Sequence, residues 1–279
     1  MRFGFIGAGK VGCSLGKYFA CHGKELSGYY SRTKEHAKDA AEFTGSRVYD
    51  TPEDLAENSD IIFLTVPDAR IAEVWEQLKR GNVEHKIICH CSGALSSKVF
   101  SDVTDTAVYG YSVHPLFAVS SRYDSYKELS KCYFTIEGAI EYLPFIRELF
   151  IEMGNPVGTI DAGAKIKYHA AAAVCSNLIV GMIAMSERLL TDCGFDAVSA
   201  HAALQPIVQG NVAHIAEVGT VDALTGPMER NDVETVEKHL MCLKDDEKAI
   251  YQMVSREVLK VARQRHPDTD YGRMEELLK

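Results

Sequence analysis

The chain has 279 residues, of which 46% are hydrophobic and 25% are charged, and its formal net charge at pH 7 is −9. This length allows two domains of ordinary size with a substantial buried core. The acidic balance argues against nucleic acid or an anionic membrane as the main partner. The longest apolar runs, such as residues 61–66, are far shorter than the roughly 20 residues that span a bilayer, and the N-terminal apolar run is too short for a signal peptide. We therefore expect a cytoplasmic protein with no nucleic-acid partner and no membrane partner.

Eight cysteines are spread along the chain. Because several lie inside apolar runs and no export signal precedes them, we interpret them as reduced thiols. Cys89 and Cys91 flank His90, which resembles a fragment of a metal site, but alternate residues at a strand end face opposite sides of the sheet. We therefore predict no metal site.

The chain opens with a short apolar strand, residues 2–6, which runs directly into a glycine-rich turn of the form G-x-G-x-x-G. The turn consists of Gly7, Ala8, Gly9, Lys10, Val11 and Gly12. In such a turn Gly7 permits the tight bend, Gly9 lets a pyrophosphate approach the main chain, and Gly12 lets the following helix pack closely. That helix, residues 11–20, presents free N–H groups and a positive dipole end to the phosphates. The opening segment therefore predicts a dinucleotide site.

Strands and helices then alternate as far as about residue 150. The predicted strands cover residues 26–31, 48–49, 60–66, 86–90, 107–112 and 132–136, and helices are predicted at residues 34–44 and 71–78. Thr51, Pro52 and Asp54 have the pattern of a helix start, with Thr51 as the N-cap. This alternation predicts a doubly wound parallel sheet with right-handed crossovers.

From about residue 142 the pattern becomes helical, apart from a short strand-like segment at residues 157–160. Helices are predicted at residues 165–190, 197–218, 233–240 and 246–263, with a kink at Pro206. The predicted fold class is α/β: an N-terminal doubly wound Rossmann domain at residues 1–152 and an all-helical domain at residues 153–279. The long helices are rich in Ala and Leu and have little to cover them, so we expect a homodimer through the helical domain.

The end of the second strand indicates which dinucleotide is bound. An NAD site usually places Asp or Glu there, whereas this chain has Ser31, Arg32 and Thr33. These side chains can bind a 2′-phosphate, with Arg32 supplying a charge-assisted fork. We therefore favour NADP as the cofactor, the alternative being a solvated basic turn at the start of a helix.

Two more loops follow the carboxyl ends of predicted strands and should lie over the cofactor. Val66 and Pro67 end the strand at residues 60–66, and Ser92 follows the strand at residues 86–90. Ser92 could hydrogen-bond the nicotinamide or the substrate, or it could cap the turn that follows; both interpretations remain open.

In combination, these motifs resemble those of a known family. The matching segments are residues 7–12, 31–33, 66–68, 90–94, 114–115, 168–172, 176–177 and 224–227, with Arg230 and Asp232. They are similar to Rossmann-like NADP oxidoreductases whose C-terminal half is a domain of unknown function. The wider 6-phosphogluconate dehydrogenase C-terminal-like clan includes pyrroline-5-carboxylate reductase, ketopantoate reductase, prephenate dehydrogenase and the 3-hydroxyacid dehydrogenases. The resemblance implies an oxidoreductase whose substrate binds between a nucleotide domain and a helical domain.

The chain departs from the hydroxyacid dehydrogenases on the first long helix of its C-terminal half. Those enzymes carry a lysine and an asparagine four residues apart on that helix. Here Lys165 and Lys167 are followed, four residues later, by His169 and Ala171. A lysine general acid of the usual kind is therefore in doubt.

The same predicted helix supplies the catalytic candidates. His169 and Ser176 are seven residues apart and would share a face, with Asn177 beside them. His169 could exchange a proton with a carbonyl or imine during hydride transfer, and Ser176 or Asn177 could orient the substrate. The alternative is a packed interior histidine on an alanine-rich face.

Two further residues are candidates for substrate binding. His114 precedes Pro115 after a predicted strand, so it could hold a substrate carboxylate or only fix a turn. Arg230 lies in a loop before a helix capped by Asn231 or Asp232, where it could bind an anionic substrate or pair with a neighbouring acid at the surface.

The sequence therefore predicts an NADP-dependent oxidoreductase acting on a small carbonyl, imine or hydroxyacid substrate bound between the two domains. The alternative is a module that binds NADP(H) and senses or buffers it without catalysis. A third hypothesis is hydride exchange between NADP and a deazaflavin, a reaction that related folds perform.

Overall fold

The computed structural model describes residues 1–103 and 107–279. The chain divides into two compact units, Met1–Cys175 and Ser176–Lys279. The sequence pattern predicts the boundary between the domains at residue 152, whereas the first unit extends to Cys175. It does so because the strand-like segment after residue 156 pairs with the sheet of the first unit.

A single sheet of eight strands, counted over the described residues, organises the first unit. In chain order these are β1 Arg2–Ile6, β2 Glu25–Tyr30, β3 Arg47–Val48, β4 Ile61–Leu64, β5 Ile87–His90, β6 Tyr109–Leu116, β7 Tyr133–Gly138 and β8 Val157–Thr159. Their spatial order is β3-β2-β1-β4-β5-β6-β7-β8. The pairs are parallel except β6 with β7, which is antiparallel. The predicted doubly wound sheet is therefore confirmed, except that the predicted strand β7 runs antiparallel to β6 and that β8 extends the sheet by one more strand.

The helices of the first unit cover both faces of this sheet. They are α1 Lys10–Cys21, α2 Lys34–Thr44, α3 Pro52–Glu57, α4 Asp68–Leu78, α5 Leu143–Glu152 and α6 Lys165–Val174. The predicted start of α3 is confirmed, because the Thr51 side chain accepts a hydrogen bond from the Asp54 N–H at 3.1 Å.

Strand β4 shows why both faces are apolar. Phe63 packs in a cluster with Phe5 and Phe19 on one face, while Ile62 packs with Trp75 in a second cluster on the other. All four residues of β4 are buried. A strand covered on both sides must be hydrophobic at every position, which is why its sequence shows no alternation.

The second unit is helical throughout its described elements: α7 Asn177–Asp192, α8 Ala197–Ala223, α9 Val233–Cys242, α10 Asp245–Arg265 and α11 Gly272–Leu277. Its core is a cluster formed by α9, α10, α11 and the segments around them. Helix α8 continues through Pro206, and its departure from helical dihedrals occurs at Gly219, with φ 83° and ψ 171°.

The single helix predicted over residues 165–190 is wrong. The helix ends at α6 and begins again at α7, and Ser176 between them has φ −124° and ψ −80°. Ser and Asn side chains compete with helical backbone hydrogen bonds and therefore favour helix ends, which the apolar pattern on either side concealed.

One stretch, Ala162–Asp192, is long and apolar enough to cross a membrane by length and composition. These two criteria are weak evidence, and the stretch is interrupted between α6 and α7. It also contains Lys165, whose side chain is buried in the first unit against polar partners.

Candidate cofactor and catalytic site

The glycine-rich turn has the geometry that the sequence predicts. Gly7 has φ 104°, and a Cβ on it would lie 2.7 Å from the Thr65 carbonyl oxygen. A Cβ on Gly12 would lie 2.3 Å from the Gly7 carbonyl oxygen. The turn is held by hydrogen bonds from the Gly7 N–H to the Tyr30 carbonyl at 2.8 Å and from Thr65 Oγ1 to the Gly7 carbonyl at 2.7 Å. Side chains are therefore excluded at Gly7 and Gly12 by the protein itself.

Gly9 differs because its missing side chain faces open space. No atom within 4 Å would meet a Cβ built on it, and its φ of −76° is ordinary for any residue. Gly9 is the N-cap of α1, and the first turn of that helix contains no acidic residue. Open main chain at a helix N-terminus is the arrangement that accepts a pyrophosphate.

A cavity of about 370 Å³ opens from this turn between the ends of β1, β2 and β4. The strand order reverses between β1 and β4, and ligands bind at such switch points in open α/β sheets. Of the predicted cofactor residues, the cavity is lined by Gly7, Ala8, Gly9, Ser31, Arg32, Thr33, Val66 and Pro67. Lys10, Val11 and Gly12 continue from the turn into α1, and Ser92 lies outside the lining.

The far end of the cavity is basic and polar. Arg32 and Thr33 are exposed there, and the Thr33 hydroxyl makes no capping bond to α2 although Thr33 is its N-cap residue. Arg70 also lines the cavity, but its guanidinium is paired with Glu73 at 2.7 Å. This end therefore offers a guanidinium and a hydroxyl to an anion.

Ser92 caps its own turn in this structure. Its hydroxyl donates to Asp68 Oδ2 at 2.7 Å and accepts from the N–H groups of Ala94 at 3.2 Å and Leu95 at 3.0 Å. Of the two interpretations left open above, these bonds give Ser92 the capping role. The contact also joins the start of α4 to the loop after β5.

The most deeply buried charged side chain of this region is Lys165, which the sequence does not single out as a site residue. Lys165 is 1% exposed, and its Nζ donates to the Ser92 carbonyl at 2.9 Å and to Ser112 Oγ at 2.7 Å. Burial lowers the pKa of the Lys165 ammonium, while the negative charges of Glu137 and Asp68 oppose that shift. The only sequence signal was a lysine at the start of the helix four residues before His169.

His114 lies within β6, so its predicted place after the strand is wrong. Strand β6 continues to Leu116, and Pro115 is tolerated because β5 pairs with β6 only as far as Ser112. The His114 Nδ1 lies 2.7 Å from the Tyr168 hydroxyl, and the two rings are perpendicular. His114 therefore connects the end of β6 to α6.

Burial lowers the pKa of His114 to about 4. The positive charges of Lys165 and His169 lower it further, as does His90 more weakly, whereas Asp68 opposes them. His90 is itself fully buried, and burial lowers its pKa to about 4. Both rings are therefore neutral at physiological pH.

Gly93 is where the two candidate histidines meet. A Cβ on Gly93 would lie 2.8 Å from His114 Nε2 and 2.7 Å from His169 Cδ2. The loop after β5 therefore needs a residue without a side chain in order to seat both imidazoles. His169 is exposed, so the interior alternative does not describe it.

The predicted shared face of His169, Ser176 and Asn177 is wrong. Ser176 and Asn177 follow the break after α6 and belong to the second compact unit, where both are exposed. Their side chains contact each other, with Ser176 Oγ donating to Asn177 Oδ1 at 3.2 Å. Residues seven apart share a face only in a continuous helix, and the helix is broken between His169 and Asn177.

Arg230 lies in the loop before α9 and is exposed. The cap of α9 is Asp232, whose Oδ1 accepts from the Thr235 N–H at 3.1 Å. This bond and that from the Thr235 hydroxyl lower the pKa of Asp232, and the charge of Arg230 contributes more weakly. Glu229 pairs with His266 at 2.8 Å rather than with Arg230.

The cysteines are all free thiols. Within residues 1–103 and 107–279, no group of three or more His, Cys, Asp or Glu side chains could hold a metal ion. Burial raises the pKa of Cys91 to about 12, so this thiol next to Ser92 is not a thiolate at neutral pH.

Known structures share this architecture along nearly the whole chain. A protein from Thermotoga maritima is 25% identical, with a TM-score of 0.74 over 94% of this chain and 98% of that one. An imine reductase from Myxococcus stipitatus, solved in complex with NADP+, is 19% identical, with a TM-score of 0.60 over all of both chains. A pyrroline-5-carboxylate reductase from Coxiella burnetii is 15% identical, with a TM-score of 0.61 over 99% of this chain and 98% of that one. No curated protein is significantly similar in sequence.

Two family models match consecutive parts of the chain. A Rossmann-like domain matches residues 1–115, and a domain of unknown function, DUF2520, matches residues 132–258. The combination agrees with the family that the motifs of the sequence resemble. The chain therefore joins a Rossmann-like domain to a C-terminal DUF2520 domain.

Proposed function

We propose that the protein is an NADP(H)-dependent oxidoreductase acting on a small carbonyl, imine or hydroxyacid. The observation that carries this proposal is the cavity at the strand switch point, which has open main chain at Gly9 and a guanidinium at Arg32. A dinucleotide needs both an anion site at a helix N-terminus and a contact to its adenosine ribose, and the cavity provides them. NADP(H) supplies the hydride-transfer chemistry when it is bound.

The preference for NADP over NAD rests on the end of β2. Ser31, Arg32 and Thr33 line the cavity there, and no carboxylate stands at the position that would hold the ribose hydroxyls. A hydrogen bond to a charged group contributes about 1.5–3 kcal/mol. The Arg32 contact should therefore favour NADP over NAD by roughly 10- to 100-fold.

Isothermal titration of NADPH and NADH into the wild type and Arg32→Ala tests this preference. We expect Arg32→Ala to weaken NADPH binding by roughly 10- to 100-fold and to change NADH binding little. Arg147→Ala is the matched control, because Arg147 is exposed on α5 and does not line the cavity. Wild-type protein that binds neither nucleotide, or binds NADH more tightly, contradicts the proposal.

Catalysis is tested separately from binding. The absorbance of NADPH is followed with a panel of 2-oxoacids and cyclic imines, and that of NADP+ with the corresponding hydroxyacids and amines. Turnover of any of these compounds supports the proposal that the protein is an enzyme. Tight NADPH binding without turnover on any member would favour the alternative, a module that senses or buffers NADP(H).

We also propose that the helical unit forms a homodimer. Its helices leave large apolar side chains in water, including Leu178 at 59%, Val180 at 67%, Val198 at 80% and Ile207 at 59% exposure. Extended exposed apolar surface marks an interaction site. A second copy of the chain is the proposed partner, since two-fold homodimers are the commonest oligomers.

A further inference from the structure

We infer that His114 is the proton donor to the substrate and that Tyr168 is the positioning residue that holds its ring in the required tautomer. The inference rests on the proposed function and adds to it the identity of the acid. It replaces His169, the candidate that the sequence favours, with a residue of β6.

His114 Nδ1 has a fixed partner. The Tyr168 hydroxyl lies 2.7 Å from His114 Nδ1, and the rings meet edge to face with centroids 5.6 Å apart. Thr135 is paired with His114 across β6 and β7. Burial raises the pKa of Tyr168, so its phenol keeps its proton at neutral pH. In the inferred arrangement this phenol donates to Nδ1, and the neutral ring carries its hydrogen on Nε2.

His114 Nε2 lies next to the loop after β5. It lies 2.8 Å from where Gly93 would carry a Cβ, at the carboxyl ends of β5 and β6. Nε2 has no hydrogen-bond partner among residues 1–103 and 107–279, and His114 is only partly buried. Its hydrogen is therefore available to a ligand over the Gly93 loop.

Two other cationic or titratable side chains near this loop, Lys165 and His169, are less suited to donate a proton. Lys165 Nζ is committed to the Ser92 carbonyl and to Ser112 Oγ, and the residue is 1% exposed. Its ammonium therefore holds the loop after β5 against β6 and is not presented to a substrate. His169 is exposed, and no hydrogen bond to the described residues orients its ring. A proton donor needs a defined direction, which only His114 has.

His114 supplies the proton that the reduction of the substrate consumes. Reducing a C=O or C=N bond consumes one hydride and one proton. As the substrate oxygen or nitrogen forms its new bond to hydrogen, the Nε2–H bond of His114 breaks. Nδ1 takes the hydroxyl proton of Tyr168, so the ring stays neutral and carries its hydrogen on Nδ1. The phenolate that remains takes a proton back from water, which restores Tyr168; the Lys165 ammonium lies over the face of its ring, 5.5 Å from the centroid.

Nitrogen-15 NMR of histidine-labelled protein tests the tautomer without any substrate. At neutral pH we expect His114 to be uncharged, with hydrogen on Nε2 and none on Nδ1, and we expect Tyr168→Phe to populate the other tautomer. The charged and titratable groups facing this ring are Lys165 and His169 on α6, Tyr168 beside them, Asp68 on α4 and His90 on β5. A wild-type ring with hydrogen on Nδ1 would overturn the inference.

Kinetics with a substrate from the panel give the second test. We expect His114→Asn to lower kcat by roughly 100-fold or more, the usual contribution of a general acid, while the Kd for NADPH stays within about twofold. Tyr168→Phe should lower kcat by about tenfold and change the pH profile of kcat, because the His114 imidazole remains but loses the hydroxyl that holds its Nδ1. His85→Asn is the matched control, because His85 is exposed in the loop before β5 and lies outside the site, and it should retain the activity.

The outcomes separate the two proposals. Loss of activity in His169→Asn with His114→Asn still active would overturn the inference while leaving an NADPH-dependent enzyme. Wild-type protein that fails to bind NADPH would overturn the proposed function, and the inference with it. If His114→Asn does not fold, the inference is tested by the His114 tautomer and by the pH profile of kcat, both measured in Tyr168→Phe.

Discussion

Alanine at Gly9 and at Gly12 should damage the protein in opposite ways. A Cβ at Gly12 would lie 2.3 Å from the Gly7 carbonyl oxygen and 2.3 Å from Thr65 Oγ1. Main-chain atoms cannot yield easily, and overpacking of this kind costs about 1–3 kcal/mol. Because two atoms would be met at 2.3 Å, we expect the upper part of this range, and the better helix propensity of Ala, worth up to about 1 kcal/mol, leaves a net cost of about 1–2 kcal/mol. For a domain of this size we expect Gly12→Ala to lower Tm by about 2–8 °C.

Gly9→Ala should leave the folded protein nearly unchanged and block the ligand. Its Cβ would meet nothing within 4 Å, and the dihedrals of Gly9 suit alanine. We therefore expect a stability change within about 0.5 kcal/mol. The new methyl group would occupy the space through which a pyrophosphate reaches the main chain.

Thermal unfolding with and without NADP+ measures both effects in one assay. At a ligand concentration of about 100 Kd, binding stabilises the folded state by about 2.7 kcal/mol. A tenfold weaker site in Gly9→Ala would lose about half of that stabilisation. A full NADP+-induced Tm shift in Gly9→Ala would refute the placement of the pyrophosphate over Gly9. An unchanged Tm in Gly12→Ala would refute the packing argument.

Three further predictions concern the buried histidine, the Gly93 loop and the assembly. Burial lowers the folded-state pKa of His90 from 6.5 to about 4, so the unfolded chain binds this proton at a higher pH than the folded chain does. The free energy of unfolding should therefore fall by about 3 kcal/mol as the pH drops from 6.5 to 4. Urea unfolding of His90→Gln should show a smaller fall over the same pH range. Gly93→Ala should displace the rings of His114 and His169 and lower kcat while NADPH affinity is retained; equal losses of both would point to general damage. Sedimentation equilibrium should find a dimer, and a monomer at micromolar concentration would remove the homodimer proposal.

Local signals predicted the order of the elements in the nucleotide half of the protein, and the bounds of its first ones. The bounds of β1 and α2 agree with the predicted segments, because strand periodicity, helix caps and glycine turns act over a few residues. The roles of Gly7 and Gly12 also follow from local geometry, since a tight turn and a close helix contact each exclude a side chain.

Prediction was least accurate where chain continuity had to be judged from composition. The apolar pattern through residues 165–190 conceals the break at Ser176, so the pattern predicts Ser176 on the same helix face as His169, with Asn177 beside it. The strand-like segment after residue 156 is too short to reveal that it pairs with β7. Where the helix breaks and whether the segment after residue 156 forms a strand are both decided by contacts with other elements.

The sequence by itself determined the dinucleotide turn, the alternating order of strands and helices, and the basic end of β2. Only the tertiary structure decided which polar groups surround Gly93. His114 and Tyr168 are 54 residues apart, and Lys165 is 73 residues from the carbonyl that it holds. Hydrogen bonds across such separations leave no periodic trace in the chain, because they exist only after the sheet has brought the ends of β5 and β6 to the first turns of α6.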